Sequence, residues 1–241
     1  MMSGHPYRKE LTERTFIFLC GTIGAGKSTL LEQLGKLFVN ANPTLIKEYI
    51  DYDPEGDKQL NDYFRGNITC IDFQRYILQC YQKQIRESNS KLLIFERHPM
   101  ENLIFASYSM SPEQLKGLWR MTKIMCEIEG IPMPWECAIQ IFDADNKEVA
   151  DRIYEISKDT YNILCHLEVS DSLQYYRLIS RGRESDLKYV QELNQSYLHR
   201  INTIYNALSA NHYQIRPAYF SMFYTRPNEI PPIVLIEDST I

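Results

Sequence analysis

The chain has 241 residues, 44% hydrophobic and 24% charged, with a formal net charge of −5 at pH 7. These are ordinary globular proportions, so a disordered chain, a collagen repeat and a disulfide-stapled miniprotein are excluded. An acidic chain is not expected to coat nucleic acid, and no apolar run nears the roughly 18 residues that a membrane span needs. Residues 1–14 read as a polar tail without an apolar signal core, so the expected location is the cytoplasm. The six cysteines are scattered without a CxxC, and the histidines lack metal-ligand spacing, so reduced thiols and no zinc site are expected.

In chain order, Thr15–Cys20 (TFIFLC) is an apolar run of the kind that forms a buried parallel strand. Lys27 to about Phe38 alternates at helical spacing, and Thr44–Lys47 reads as a second strand. Asp53-Pro54-Glu55-Gly56 is a turn, followed by helices near 57–65 and 69–88. Lys91–Phe95 is a third strand, with helices near 99–108 and 112–128 behind it. Gly130–Trp135, with two prolines, is a loop, and 136–160 carries no clear pattern. Asn162–Val169 is a fourth strand, Asp171–Ser180 and Asp186–Leu208 are helices, and Pro231–Ile236 is a fifth strand. Strands alternating with helices predict an α/β fold: a five-stranded parallel sheet with helices on both faces, in one three-layer domain over 15–241.

Gly21-Thr22-Ile23-Gly24-Ala25-Gly26-Lys27-Ser28 satisfies GxxxxGK[ST] between an apolar strand and an amphipathic helix, and Thr29 follows it. Glycines allow a tight turn whose N–H groups face phosphate oxygens at the helix N-terminus. Lys27 can reach the β- and γ-phosphates, and the Ser28 hydroxyl can bind Mg²⁺. The loop specifies a nucleoside triphosphate and leaves the reaction open. A GTPase reading fails because Asn146-Lys147-Glu148-Val149 lacks the aspartate of NKxD.

Three further clusters stand out. Glu96 and Arg97 follow the apolar strand Lys91–Phe95, where ligands of open α/β sheets bind. Glu96 there either holds Mg²⁺ or forms a plain strand-end ion pair with Arg97. Arg177, Arg181 and Arg183 fall within seven residues, with Gly182 between the last two. They read as a mobile lid at about 177–186 that neutralises phosphate charge, or as a basic helix end. Gln74, Ile77 and Tyr81 share one helix face. An amide presents a donor beside an acceptor, which suits the edge of a nucleobase, with Tyr81 or Phe105 flanking it. The alternative is a helix burying its aromatics with Gln74 at the rim.

These motifs in this order (GTIGAGKST, the isolated Glu48, FQ at 73–74, FERHP at 95–99, IFA at 104–106, RLISRGR at 177–183) resemble the deoxynucleoside kinase family. RHP after the acidic residue and Tyr81 after the glutamine look more like its herpesviral thymidine kinases. The resemblance implies a P-loop kinase fold with an arginine-rich lid, and transfer of the ATP γ-phosphoryl to a deoxynucleoside 5′-hydroxyl with Mg²⁺. Thymidine is the favoured substrate, with deoxycytidine or a broad range left open because a glutamine amide can pair with several bases. Glu48 would be the general base, held by Arg97. Gln74 would pair with the base, sandwiched by Ile77 and Phe105. Tyr63 and Asp186 would bind the sugar 3′-hydroxyl, and Glu101 would face the base. A homodimer is implied. Glu48-Tyr49 departs from the usual Glu-Pro, and Tyr52 stands in for a missing tryptophan. A nucleoside monophosphate (thymidylate) kinase and a non-catalytic nucleotide-binding protein are the rival readings.

Overall fold

The structure, a computed structural model, describes residues 14–132, 136–142, 146–183 and 201–206. Its first strand, β1 (Thr15–Gly21), is buried on both sides. It pairs in parallel with β3 (Leu92–Glu96) and with β5 (Asn162–Glu168). β2 (Thr44–Ile46) flanks β3, and β4 (Cys137–Phe142) flanks β5, giving the order β2-β3-β1-β5-β4, all parallel.

Period-two alternation sorts β1 into two cores. Phe16, Phe18 and Cys20 join Phe95 on one face, with α4 (Cys70–Glu87), α5 (Asn102–Ala106) and α6 (Pro112–Glu129). Ile17 and Leu19 join Ile94 on the other, with α1 (Lys27–Leu37) and α7 (Asn146–Ile156). The first core holds a group of aromatics, among which Phe18 and Phe95 lie 4.8 Å apart.

The remaining helices are α2 (Tyr49–Tyr52), α3 (Gly56–Phe64) and α8 (Asp171–Arg181). Their boundaries follow local chemistry. The Thr69 side chain accepts from Asp72 N at the start of α4. Ser111 and Gln114 form a reciprocal cap on α6 with Pro112 in its first turn, and Gly130 ends it with φ 68°.

The fifth described strand is β4, in the stretch whose pattern was unreadable. Only two of its residues, Ile139 and Ile141, are buried, because it is a sheet edge, so its sequence never becomes a continuous apolar run. The expected strand Pro231–Ile236 lies outside the described residues, as does most of the expected helix Asp186–Leu208, of which 201–206 is helical. Among the described residues no helix is long and apolar enough to cross a membrane.

Because the strands are parallel, the ends of β1, β2 and β3 emerge along one edge. Leu19 lies beside Glu96, and Ile46 beside Phe95. The loop after β1, Glu48 after β2 and Arg97 after β3 are therefore neighbours. β1 can end this way only with glycine. A Cβ on Gly21 would stand 2.2 Å from the Leu167 carbonyl oxygen, and its φ is +134°.

Candidate active site

The loop between β1 and α1 is held from both ends. Gly26 caps α1 with φ 95°, a conformation that glycine adopts without penalty. Lys27 Nζ donates to the Thr22 carbonyl at 2.8 Å. From α8, Gln174 Nε2 donates to Thr22 Oγ1 (3.0 Å) and to the Ile23 carbonyl (2.7 Å), and Arg177 donates to the Gly24 carbonyl at 3.1 Å. Burial, and then the nearby Arg97 charge, bring Lys27 down to about 8. An anion seated in the loop would reverse that by supplying the missing counter-charge.

Below the loop, Ser28 Oγ donates to Glu96 Oε1 at 2.5 Å. Burial and then repulsion from Glu48 push Glu96 up to about 7. A buried carboxylate raised in this way would be returned to its charged form by a cation. A hydroxyl and a carboxylate side by side are the hard oxygen donors that Mg²⁺ takes when phosphates complete its shell. The pair therefore fits that metal. Among the described residues there is no group of three or more His, Cys, Asp or Glu that could hold an ion by itself.

Arg97 organises the opposite side. Its backbone adopts φ 73°, unusual for a non-glycine residue, and its N–H donates to the Leu19 carbonyl at 3.0 Å. Its guanidinium donates from Nε to Glu48 Oε1. From Nη1 it donates to the Gly21 carbonyl (2.5 Å), Glu101 Oε2 (3.0 Å) and the Tyr205 hydroxyl (2.6 Å). It also lies 4.7 Å above the Phe105 ring. Burial opposes the charge on Glu48, but Arg97 and Lys27 outweigh it and hold the carboxyl below its usual value. Gln84 fixes the backbone just before Glu48: its Oε1 accepts from Lys47 N (2.8 Å) and its Nε2 donates to Lys47 O (3.0 Å).

A cavity of about 300 Å³ opens from this pair. Tyr49, Tyr63, Phe64, Phe73, Ile77 and Phe105 are among the residues of its apolar wall. Two buried polar atoms lie in residues that line it, Gln74 Oε1 and Asn102 Nδ2, and neither has a hydrogen-bond partner among the described residues. Such atoms are costly to leave unmet, so the cavity suits an apolar ligand that carries polar groups.

A deoxynucleoside kinase family model matches residues 17–230. The chain belongs to the deoxynucleoside kinase family. It is similar to deoxyadenosine kinase from M. mycoides solved with bound dATP, at 20% identity over 85% of this chain and 92% of that one, TM-score 0.48. It is also similar to that enzyme with dCTP (21% identity, 83% and 86% coverage, TM-score 0.47) and with the products dCMP and dCDP (19%, 86% and 96%, TM-score 0.49). No curated protein matches it.

In this deoxynucleoside kinase the cavity lining includes Ile23, Glu48, Tyr63, Gln74, Ile77, Tyr81, Arg97, Phe105, Arg181 and Arg183. Tyr81 turns its hydroxyl to the Glu96 carbonyl (3.2 Å), and Tyr63 bonds Ser109 Oγ (2.9 Å). Other expected residues lie elsewhere or make other contacts. Glu101 does not line the cavity: it is wholly buried against Arg97 and Tyr205, and the next residue, Asn102, lines the cavity instead. Tyr52 is not in the lining either, its hydroxyl meeting Glu87 at 3.3 Å, whereas Tyr49 is. Arg183 pairs with Asp51 at 2.7 Å. Thr29 is exposed on α1, and Asp186 lies outside the described residues.

His98 of the RHP sequence is structural. Its Nδ1 accepts from Met100 N at 3.1 Å, and burial brings it down to about 3, so it stays neutral. The sequence reading missed Gln84, Asn102, Gln174 and Tyr205. Only Gln174 carried a signal, since it precedes Arg177 by three residues and shares its helix face.

Proposed function

We propose that this kinase transfers the γ-phosphoryl of ATP to the 5′-hydroxyl of a deoxynucleoside, with thymidine favoured. The observation that carries the reading is the unmet Gln74 acceptor in an aromatic cavity that ends at the Glu48–Arg97 pair beside the phosphate loop. Thymine presents one N–H between two carbonyls. Gln74 offers an acceptor with its own amide donor, and Asn102 offers a second donor, which complements that edge.

In the proposed reaction Ile77 and Phe105 hold the base, and Tyr63 meets the sugar. Glu48, its carboxylate kept ionised by Arg97, takes the proton from the 5′-hydroxyl. Lys27, the loop N–H groups and Arg181 gather the phosphates. Ser28 and Glu96 would hold Mg²⁺, whose chemistry is to neutralise charge on the transferring phosphoryl group. Positioning and electrostatics supply most of the catalysis.

We further read the enzyme as a cytoplasmic homodimer. Its six free thiols suit a reducing compartment. Ile124 and Ile128, one turn apart on α6 and more than half exposed, give an apolar strip for pairing through helices.

The test is a radiolabelled ATP assay with Mg²⁺ on thymidine, the three other deoxynucleosides and thymidylate. Label on thymidine above the others is expected. Label on another nucleoside keeps the reaction and corrects the base. Label only on thymidylate moves the protein to the monophosphate kinases, and label on none refutes the reading.

A further inference from the structure

Arg97 touches a residue that no motif brought into the site, Tyr205, which arrives from the far end of the described chain. The Tyr205 hydroxyl uses both of its hydrogen-bonding functions. It accepts from Arg97 Nη1 at 2.6 Å and donates to Glu101 Oε2. Glu101 in turn accepts from the same Arg97 nitrogen at 3.0 Å. The three groups close a triangle, and all are buried. In a low-dielectric interior such a closed network fixes direction as well as charge.

The phenol ring is itself held. It lies 5.8 Å from the His166 ring at 29° and 6.3 Å from Phe105 at 65°. In the same helical segment, 201–206, Asn202 Nδ2 donates to Asp171 Oδ1 and to Gln174 Oε1, each at 3.0 Å. Gln174 is the side chain whose other end grips Thr22 and Ile23 of the phosphate loop.

We infer that Tyr205 is a positioning residue: with Glu101 it orients the Arg97 guanidinium that holds Glu48, while Asn202 and Gln174 tie the same segment to the phosphate loop. The two halves of the site are thereby set against each other by one short helical segment. This matters because a nucleophile-side group displaced by as little as about 0.5 Å loses productive geometry. The inference rests on the proposed reaction only for its kinetic readout.

The test is Tyr205→Phe, which removes the hydroxyl and keeps the ring. kcat is expected to fall roughly ten- to a hundred-fold, with KM for ATP and nucleoside changed less than about three-fold, because Tyr205 is not among the residues that line the cavity. Because Tyr205 and Glu101 act through one guanidinium, Tyr205→Phe combined with Glu101→Gln should lose little more than the worse single variant. Rates are read well below each variant's own melting transition, so a destabilised variant still decides. A Tyr205→Phe kcat within about two-fold of wild type overturns the inference, and so do fully additive losses.

A second readout needs no turnover. The Nε–Hε resonance of Arg97, followed by nitrogen-15 NMR in the free enzyme, should move in Tyr205→Phe. An unmoved resonance overturns the inference. Should wild type phosphorylate no nucleoside, the reaction fails and this resonance still decides the role of Tyr205.

Discussion

Arg97 and Glu48 form an ion pair that joins the ends of two adjacent strands, with Arg97 Nε donating to the Glu48 carboxylate. Burial alone would push the Glu48 carboxyl up. Arg97, then Lys27, reverse the sign and hold it below its usual 4.5. The sequence fact behind this is an acidic residue two positions after a three-residue strand, which pairs in parallel with the strand that precedes Arg97.

A depressed folded pKa means that the stability contributed by Glu48 is present above its unfolded pKa and is lost only as pH falls through the lower folded value. Glu48→Gln should therefore show a melting-temperature deficit that widens somewhat between about pH 7 and 5, because Glu96 is no longer raised by Glu48, and narrows only below that range. A deficit that closes between pH 7 and 5 would contradict the sign. The same variant should lose roughly a hundred- to ten-thousand-fold in kcat, the usual range for a general base, with nucleoside binding little changed.

Gln84 holds Lys47 as a neighbouring strand would, one amide meeting both the N–H and the carbonyl. Gln84→Leu leaves two backbone groups unmet and should cost about 1–3 kcal/mol of stability, measured by denaturant unfolding. Gln84→Glu is the sharper comparison. One carboxylate oxygen can still accept from Lys47 N, but the other faces the Lys47 carbonyl and repels it. Its kcat loss should match that of Leu, because Glu48 is the next residue along. A Gln84→Glu enzyme with wild-type kcat would show that the clamp does not position Glu48.

The sheet was legible where strands are buried on both faces, since TFIFLC and LLIFE admit little else. β4 was not, because an edge strand alternates its exposure and CAIQIF reads as neither pattern over so short a run. The phosphate loop was legible because its chemistry is local in sequence. Gln74, Ile77 and Phe105 were legible through helix spacing and family resemblance, and all three line the cavity. Glu101 and Asn102 were not separable, since one residue of helical rotation decides which faces the ligand. Tyr205 was invisible because its partner, Arg97, lies 108 positions away, and only the folded chain brings the two together.

Gly21 ends β1 against the backbone of β5. Gly21→Ala places its Cβ 2.2 Å from the Leu167 carbonyl oxygen, and backbone cannot swing away as a side chain can. The expected cost is at least about 3 kcal/mol, among the largest for one methyl group. Thermal unfolding checks it. A change under about 1 kcal/mol would mean that β1 and β5 separate freely at this end.

Gln74 separates stability from function most cleanly. Its Oε1 is buried without a partner among the described residues, and an unmet buried acceptor costs the native state stability. Gln74→Met keeps length and apolar volume and removes that cost, so the free protein should be as stable as wild type, or more stable by about 1 kcal/mol. The same change deletes the contacts proposed for the base. kcat/KM for the preferred nucleoside should fall roughly ten- to a hundred-fold, and preference among the four bases should flatten. Asn102→Leu should act in the same direction, since Asn102 Nδ2 also has no partner among the described residues. Calorimetry of the free protein beside a four-nucleoside kinetic panel makes the measurement. Gain in stability with loss of discrimination is the expected pair. A Gln74→Met enzyme that melts lower and still ranks the bases as wild type does would return Gln74 to a packing role at the cavity rim.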